Sequence, residues 1–136
     1  MRVTITILSA NFDKCQFRLN GIKEIFDDAG TMFIGPKLKR FCELLIESGY
    51  NKKVRYGCNM RFNALNREYY ELMGKARFRF ILYGMESGNQ RTLDKLDKGT
   101  KEVDAINGPR MARENGMDPH VTIMLGYPWE TLKEAR

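Results

Sequence analysis

The chain has 136 residues, a formal net charge of +6, 43% hydrophobic residues and 29% charged ones. This balance suits one globular domain and excludes a disordered or fibrous chain. No apolar run nears the roughly 18 residues of a membrane span, and MRVTITILSA lacks a signal peptide's apolar core, so no membrane association and a cytoplasmic location are expected.

In chain order, Val3, Ile5 and Ile7 alternate with Thr4 and Thr6, so Arg2 to Leu8 reads as a possible strand. Asn11 to Asn20 has no clear period. Residues 1–20 are therefore set apart as an atypical N-terminal segment, and 21–136 as the main unit. Ile22 to Phe26 reads as a strand closed by Asp27-Asp28-Ala-Gly30. Leu38, Phe41, Leu44 and Leu45 form a helical stripe in Pro36–Ser48, with Pro36 in the first turn and Gly49 as the stop. Val54 to Cys58 is the next strand. Asn66 caps a helix that buries Tyr69, Leu72, Met73 and Ala76. Phe78 to Tyr83 is apolar on both parities from Phe80 onward, as in a parallel strand covered on both faces. Ser87-Gly-Asn-Gln90 fits a capping box for a helix carrying Leu93 and Leu96 inward, and Gly99 stops it. Thr100 caps a further helix, Lys101 to Asn115, in which Gly108-Pro109 predicts a kink or break. Val121 to Leu125 is a fourth main strand. Gly126-Tyr-Pro128 then turns into a last helix.

Strands alternating with helices over short connections imply a parallel α/β sheet with right-handed crossovers. Ligands bind such sheets at the carboxyl ends of the strands. The residues to weigh are thus Asp27 and Asp28, then Cys58, Asn59 and Arg61, then Gly84, Glu86 and Ser87, then Gly126 and Tyr127. Glu86 is either an acceptor for vicinal hydroxyls, as carboxylates are for ribose, or a solvated loop acid. Ser87 either supplements it or caps the helix. Asp27 and Asp28 are either paired carboxylates for a metal or a proton, or solvated turn acids. Arg61 either forks onto a substrate carboxylate or pairs with a rim acid. Gly126 either lets a flat ligand approach the backbone or makes the turn before Pro128. His120 is placed before a strand, on the opposite rim, and Met73, Met111 and Met124 are placed in the core.

Taken in order, IKEIFDDAGTMF, VRYGCNMRFNAL, FRFILYGMESGNQRTLDKLDKGT and VTIMLGYPWET resemble radical S-adenosylmethionine (SAM) proteins. The similar group is the one often fused to a cobalamin-binding domain, together with its methylthiotransferase-like relatives. The resemblance covers about Gly21 to Arg136, and GMESGNQRTLDKLDKG carries most of it. It implies part of a (β/α)6 barrel, open and incomplete, with four main strands. It also implies a [4Fe-4S] cluster that binds SAM and cleaves it reductively to a 5′-deoxyadenosyl radical, which takes a hydrogen from a substrate. By position, Glu86 and Ser87 would contact the ribose or amino-acid portion of SAM. Asn59 and Arg61 would lie near SAM or substrate, and Leu125 and Gly126 would line the adenine site through their backbone. Asp27, Asp28 and Tyr127 are left as substrate-side candidates.

Two features depart from the resemblance. The family holds its cluster with CxxxCxxC; Cys15, Cys42 and Cys58 have no such spacing, so no metal ligand is assigned. Trp129 stands where the last motif has glycine, and is expected to crowd the adenine pocket or alter a turn. The expected function is therefore a segment of a radical SAM enzyme core, inactive alone. The alternatives are a non-catalytic remnant or interaction module, and a basic RNA-associated protein. Self-association through open sheet edges, or assembly with a cluster-bearing segment, is also expected.

Overall fold

The structure, a computed structural model, describes residues 2–5 and 22–133. Its centre is a sheet of five parallel strands in the order β1-β2-β3-β4-β5, each beside the next in sequence. The strands are β1 (Arg2–Ile5), β2 (Glu24–Thr31), β3 (Arg55–Met60), β4 (Phe78–Met85) and β5 (Asp118–Ile123). The helices are α1 (Pro36–Glu47), α2 (Arg67–Lys75), α3 (Gln90–Lys95) and α4 (Glu102–Glu114), with a 3₁₀ turn at Tyr50–Lys52. This is the open α/β sheet of part of a barrel: the four expected strands, plus the N-terminal strand over Arg2–Ile5. The expectations for Asn11–Asn20, for Cys15 and for the chain beyond Lys133 lie outside the described residues.

The core forms where the helical stripes meet the sheet. Leu38, Phe41 and Cys42 of α1, and Tyr70 and Met73 of α2, are buried against Ile25, Tyr56, Cys58, Phe78 and Ile81. Phe41, Tyr56 and Phe78 touch edge-on or tilted, with centroids 5.0 to 6.1 Å apart. Gly57 sits opposite Phe80 in the ladder, and a Cβ there would lie 2.5 Å from the ring. The ring fills that space, stacked on Phe26 at 5.1 Å and tilted against His120 at 5.1 Å.

Several local expectations are corrected. Asp27-Asp28-Ala-Gly30 is not a closing turn but a bulge inside β2, where the register jumps from Asp27↔Cys58 to Thr31↔Asn59. Asp27 Oδ1 accepts from Ala29 N at 3.0 Å, and Gly30 takes a φ of 92°. Together they turn the chain out and back into the ladder. The fourth main strand begins at Asp118, not Val121, so His120 lies within it, opposite Leu82. Pro119 is accommodated because β5 is an edge strand, where a missing N–H is tolerated. Met124 is 51% exposed rather than in the core. α4 runs unbroken through Pro109, with Gly108 close enough to the Phe62 carbonyl that a Cβ would lie 3.0 Å away. Asn89, not Ser87, caps α3 by accepting from Thr92 N, while Lys101, not Thr100, is the N-cap residue of α4. Residues 127–130 make a turn closed by Glu130 N to Tyr127 O at 2.9 Å, and no helix follows up to Lys133. Among the described residues no helix is long and apolar enough to cross a membrane.

Candidate functional site

A cavity of about 290 Å³ opens at the carboxyl ends of the strands. The β2 bulge gives it Gly30 and Thr31, and β3 and its following loop give Asn59, Met60, Arg61 and Phe62. From β4 and beyond come Leu82, Gly84, Met85, Glu86 and Ser87; the chain after α3 adds Lys98, Thr100 and Lys101. With Thr122 of β5, the site therefore draws on four successive strands, with an apolar floor and a polar mouth.

Glu86 follows β4 directly, and its side chain is 22% exposed. Its Oε1 accepts from Lys98 Nζ. No hydrogen bond to its Oε2 is made among the described residues. Asn59 is held by the bulge, donating from Nδ2 to Asp28 Oδ1 at 3.1 Å. Asp28 is thereby a support for Asn59 at the rim. Asp27 is buried, and burial first, then the neighbouring Asp28 charge, pushes its carboxyl up against the opposing hydrogen bond from Ala29 N. Arg61 is exposed at the mouth, with no ion pair among the described residues.

Ser87 is buried and already engaged. Its Oγ accepts from Asn89 N at 3.1 Å and donates to Glu130 Oε1 at 3.1 Å. Glu130 Oε2 accepts from the backbone N–H groups of Gly126 and Tyr127, each at 3.1 Å. Partial burial pushes the Glu130 carboxyl up, but hydrogen bonds from Tyr127 N, Ser87 Oγ, the Thr92 hydroxyl and Gly126 N outweigh this and hold it below the usual range. One carboxylate thus ties the loop after β5 to the seam after β4. Gly126, with a φ of 84°, makes the bend that lets both amides face it. Leu125 is 69% exposed, and neither it nor Gly126 reaches the cavity wall. The Tyr127 hydroxyl is shielded from solvent without a hydrogen-bond partner among the described residues. Desolvation first, then the charge of Glu86, pushes this phenol up, with Lys98 opposing.

A family model for the radical SAM superfamily matches residues 12–136. The chain belongs to the radical SAM superfamily. It is 29% identical over 102 residues to an uncharacterized protein of Methanopyrus kandleri, a match covering 74% of this chain and 20% of that protein. It is 25% identical over 122 residues to a Methanocaldococcus jannaschii protein provisionally named a methylthiotransferase, covering 85% of this chain and 27% of that one. The chain thus spans about a quarter or less of the length of these relatives. The radical SAM methyltransferase TsrM from Kitasatospora setae, solved with cobalamin and a [4Fe-4S] cluster, superposes with a TM-score of 0.73 at 16% identity, over 84% of this chain and 24% of that one. The cobalamin-dependent radical SAM enzyme OxsB, solved with aqua-cobalamin and SAM, superposes at 0.66 and 19% identity, over 85% and 19%.

A radical SAM cluster needs converging thiolates, and the described residues do not fit one. They contain no group of three metal-binding side chains. Cys42 is buried in α1, and burial, then Glu43, pushes its thiol up to about 12. Cys58 is buried in β3 and pushed higher still, by burial first and then Asp27. Both are core thiols. Trp129 does not line the cavity. It stacks on Tyr127 at 5.1 Å, lies under Lys95 Nζ at 5.1 Å, and donates from Nε1 to Thr92 Oγ1 at 3.3 Å. The side chain that replaces the motif's glycine has turned toward α3. Sequence reasoning passed over Lys98 and Glu130. Their signals are the basic residue before Gly99 in LDKG and the acid three residues after Tyr127 in YPWE.

Proposed function

We propose that this chain forms the SAM-binding part of a radical SAM enzyme core acting on an unidentified substrate in the cytoplasm. It is inactive by itself, its cluster ligands coming from another segment. The observation that carries the reading is the placement of Glu86: a carboxylate at a strand end, facing a cavity, with one oxygen free to accept from a ribose hydroxyl. Asn59 and Arg61, on the neighbouring strand end, flank the methionine portion of SAM or the substrate. Gly126 N is taken by Glu130, so Leu125 and the Gly126 carbonyl, which lie outside the cavity wall, are what the backbone offers to an adenine that extends beyond the cavity. Asp28 acts through Asn59, and Ser87 acts through Glu130. Asp27 and Tyr127 stay on the substrate side as candidates.

Calorimetric titration with S-adenosylhomocysteine tests this. The parent chain is expected to bind, and Glu86→Gln to bind at least tenfold more weakly with an unchanged circular dichroism spectrum, as loss of a charged hydrogen-bond acceptor implies, roughly 1.5–3 kcal/mol. No binding, or equal affinity in a folded Glu86→Gln chain, refutes it. Anaerobic reconstitution with iron and sulfide checks the inactivity: about four stable irons per chain would overturn it.

A further inference from the structure

Glu86 sits between Met85 and Ser87, with glycines two positions away on either side. A Cβ on Gly84 would only just touch Glu86 Oε1, at 3.6 Å, and a Cβ on Gly88 would meet Met85 rather than Glu86. The two glycines therefore add no side chain that would wedge the carboxylate in place, although its side chain is only 22% exposed. Its hydrogen-bond partner is Lys98. The Lys98 backbone, by contrast, is fixed on both sides. Asp97 and Gly99 both adopt left-handed conformations, with φ of 50° and 61°. Asp97 N donates to Asp94 O at 3.1 Å, which closes the turn onto α3. Asn63 Nδ2 donates to the Gly99 carbonyl at 3.0 Å, which anchors the turn to the loop after β3. Aspartate tolerates the left-handed region better than most residues, and the two bonds hold the turn on either side of Lys98.

We infer that Lys98 is the positioning residue for Glu86, holding one carboxylate oxygen so that the remaining acceptor sites read the two vicinal hydroxyls of a ribonucleoside. The inference rests on the reading of Glu86 as the ribose contact. A carboxylate has about four acceptor sites, and Lys98 takes one on Oε1. A diol needs two, so the nucleoside enters without displacing the lysine. Removing Lys98 frees the Glu86 side chain to swing to solvent, and the preference for a ribose over a 2′-deoxyribose goes with it. A lysine that merely packed against the rim would lower affinity for both sugars alike.

The experiment is a pair of titrations on the full chain, with S-adenosylhomocysteine and its 2′-deoxy counterpart. The parent is expected to prefer the ribose form by about tenfold or more, the worth of one hydrogen bond to a charged group. Lys98→Met is expected to drop that preference to about threefold or less, Lys98→Gln to follow it, and Lys98→Arg to restore most of it. Lys98 is 44% exposed, and thermal melts of the variants should match the parent. A folded Lys98→Met or Lys98→Gln chain that keeps the parent's preference overturns this inference alone. A parent that binds neither ligand, or both equally, overturns the Glu86 reading and this inference with it.

Discussion

Beneath the cavity floor, the hydroxyls of Tyr70 and Tyr83 meet at 2.9 Å, and both residues are fully buried. The Tyr83 ring stacks on Phe62, which lines the cavity, with centroids 4.8 Å apart. The pair therefore joins α2 to β4 directly under the site. Tyr83→Phe leaves the Tyr70 hydroxyl buried without that partner, a cost of about 1–3 kcal/mol. Tyr70→Phe leaves the Tyr83 hydroxyl the Gly108 carbonyl, long at 3.5 Å, so its cost falls toward the lower end of that range. The double variant removes both hydroxyls, leaves nothing unsatisfied, and is expected to cost less than Tyr83→Phe alone. At about 2.1 cal/mol/K of unfolding entropy per residue, 1–3 kcal/mol corresponds to a drop in Tm of about 4–10 °C. Both phenols are pushed up, by burial first, so they stay neutral and the effect persists into mildly alkaline solution. Urea denaturation followed by circular dichroism, arranged as a double-mutant cycle, measures the coupling. A double variant as unstable as the two single losses added together would refute the argument, because the cost would then be lost packing and not an orphaned hydroxyl.

The Glu130 carboxyl is held below its ordinary value of 4.5, so its contribution to stability is present above that value and is lost as pH falls through the lower, folded one. Glu130→Gln should thus lower Tm at neutral pH, with the gap to the parent closing in acid; a gap that stays constant down to pH ~3 would show that the charge is not involved. β5 is an edge strand with Val121 and Ile123 exposed and Leu125 exposed beyond it. Concentration-dependent association is expected in sedimentation velocity and should be suppressed by Ile123→Lys; a monomer at every concentration would count against this use of the edge.

What was legible in the sequence was what period and punctuation control. Of the stripe Leu38, Phe41, Leu44 and Leu45, the first two are buried and the last two half-buried, and Asn66 did cap α2, accepting from Tyr69 N at 3.1 Å. Of the residues named from the strand-end rule, Asn59, Arg61, Glu86 and Ser87 line one cavity, whereas Asp27, Asp28, Gly126 and Tyr127 do not. What failed depended on tertiary context. β5 reads from Val121 but begins at Asp118, because Asp118, Pro119 and His120 join it only by pairing with Phe80, Ile81 and Leu82. Gly108-Pro109 reads as a break unless the helix is known to pack on the Phe62 backbone at that glycine. Asp27 to Gly30 has the composition of a closing turn, and only pairing of Thr31 with Asn59 makes it a bulge. Lys98 and Glu130 were missed because each acts on a side chain far away in sequence, Glu86 and Ser87 respectively.

That pairing explains why a carboxylate and a hydroxyl stand side by side where β4 meets α3. Glu86 and Ser87 are consecutive but have opposite duties. The carboxylate stays partly exposed at the mouth, where an acceptor is useful to a ligand. The hydroxyl is buried, where an unpaired polar group would cost about 1–3 kcal/mol, and it is doubly satisfied by Asn89 N and Glu130. Through Glu130 the buried hydroxyl fixes the Gly126-Tyr127 loop, and through Lys98 the turn after α3 fixes the exposed carboxylate. Glu130 and Lys98 thus tie the loop after β5 and the turn after α3 to one seam, where β4 meets α3. Loss of Glu130 should therefore disturb the β5 loop while leaving the Glu86–Lys98 pair in place, and loss of Lys98 should do the reverse.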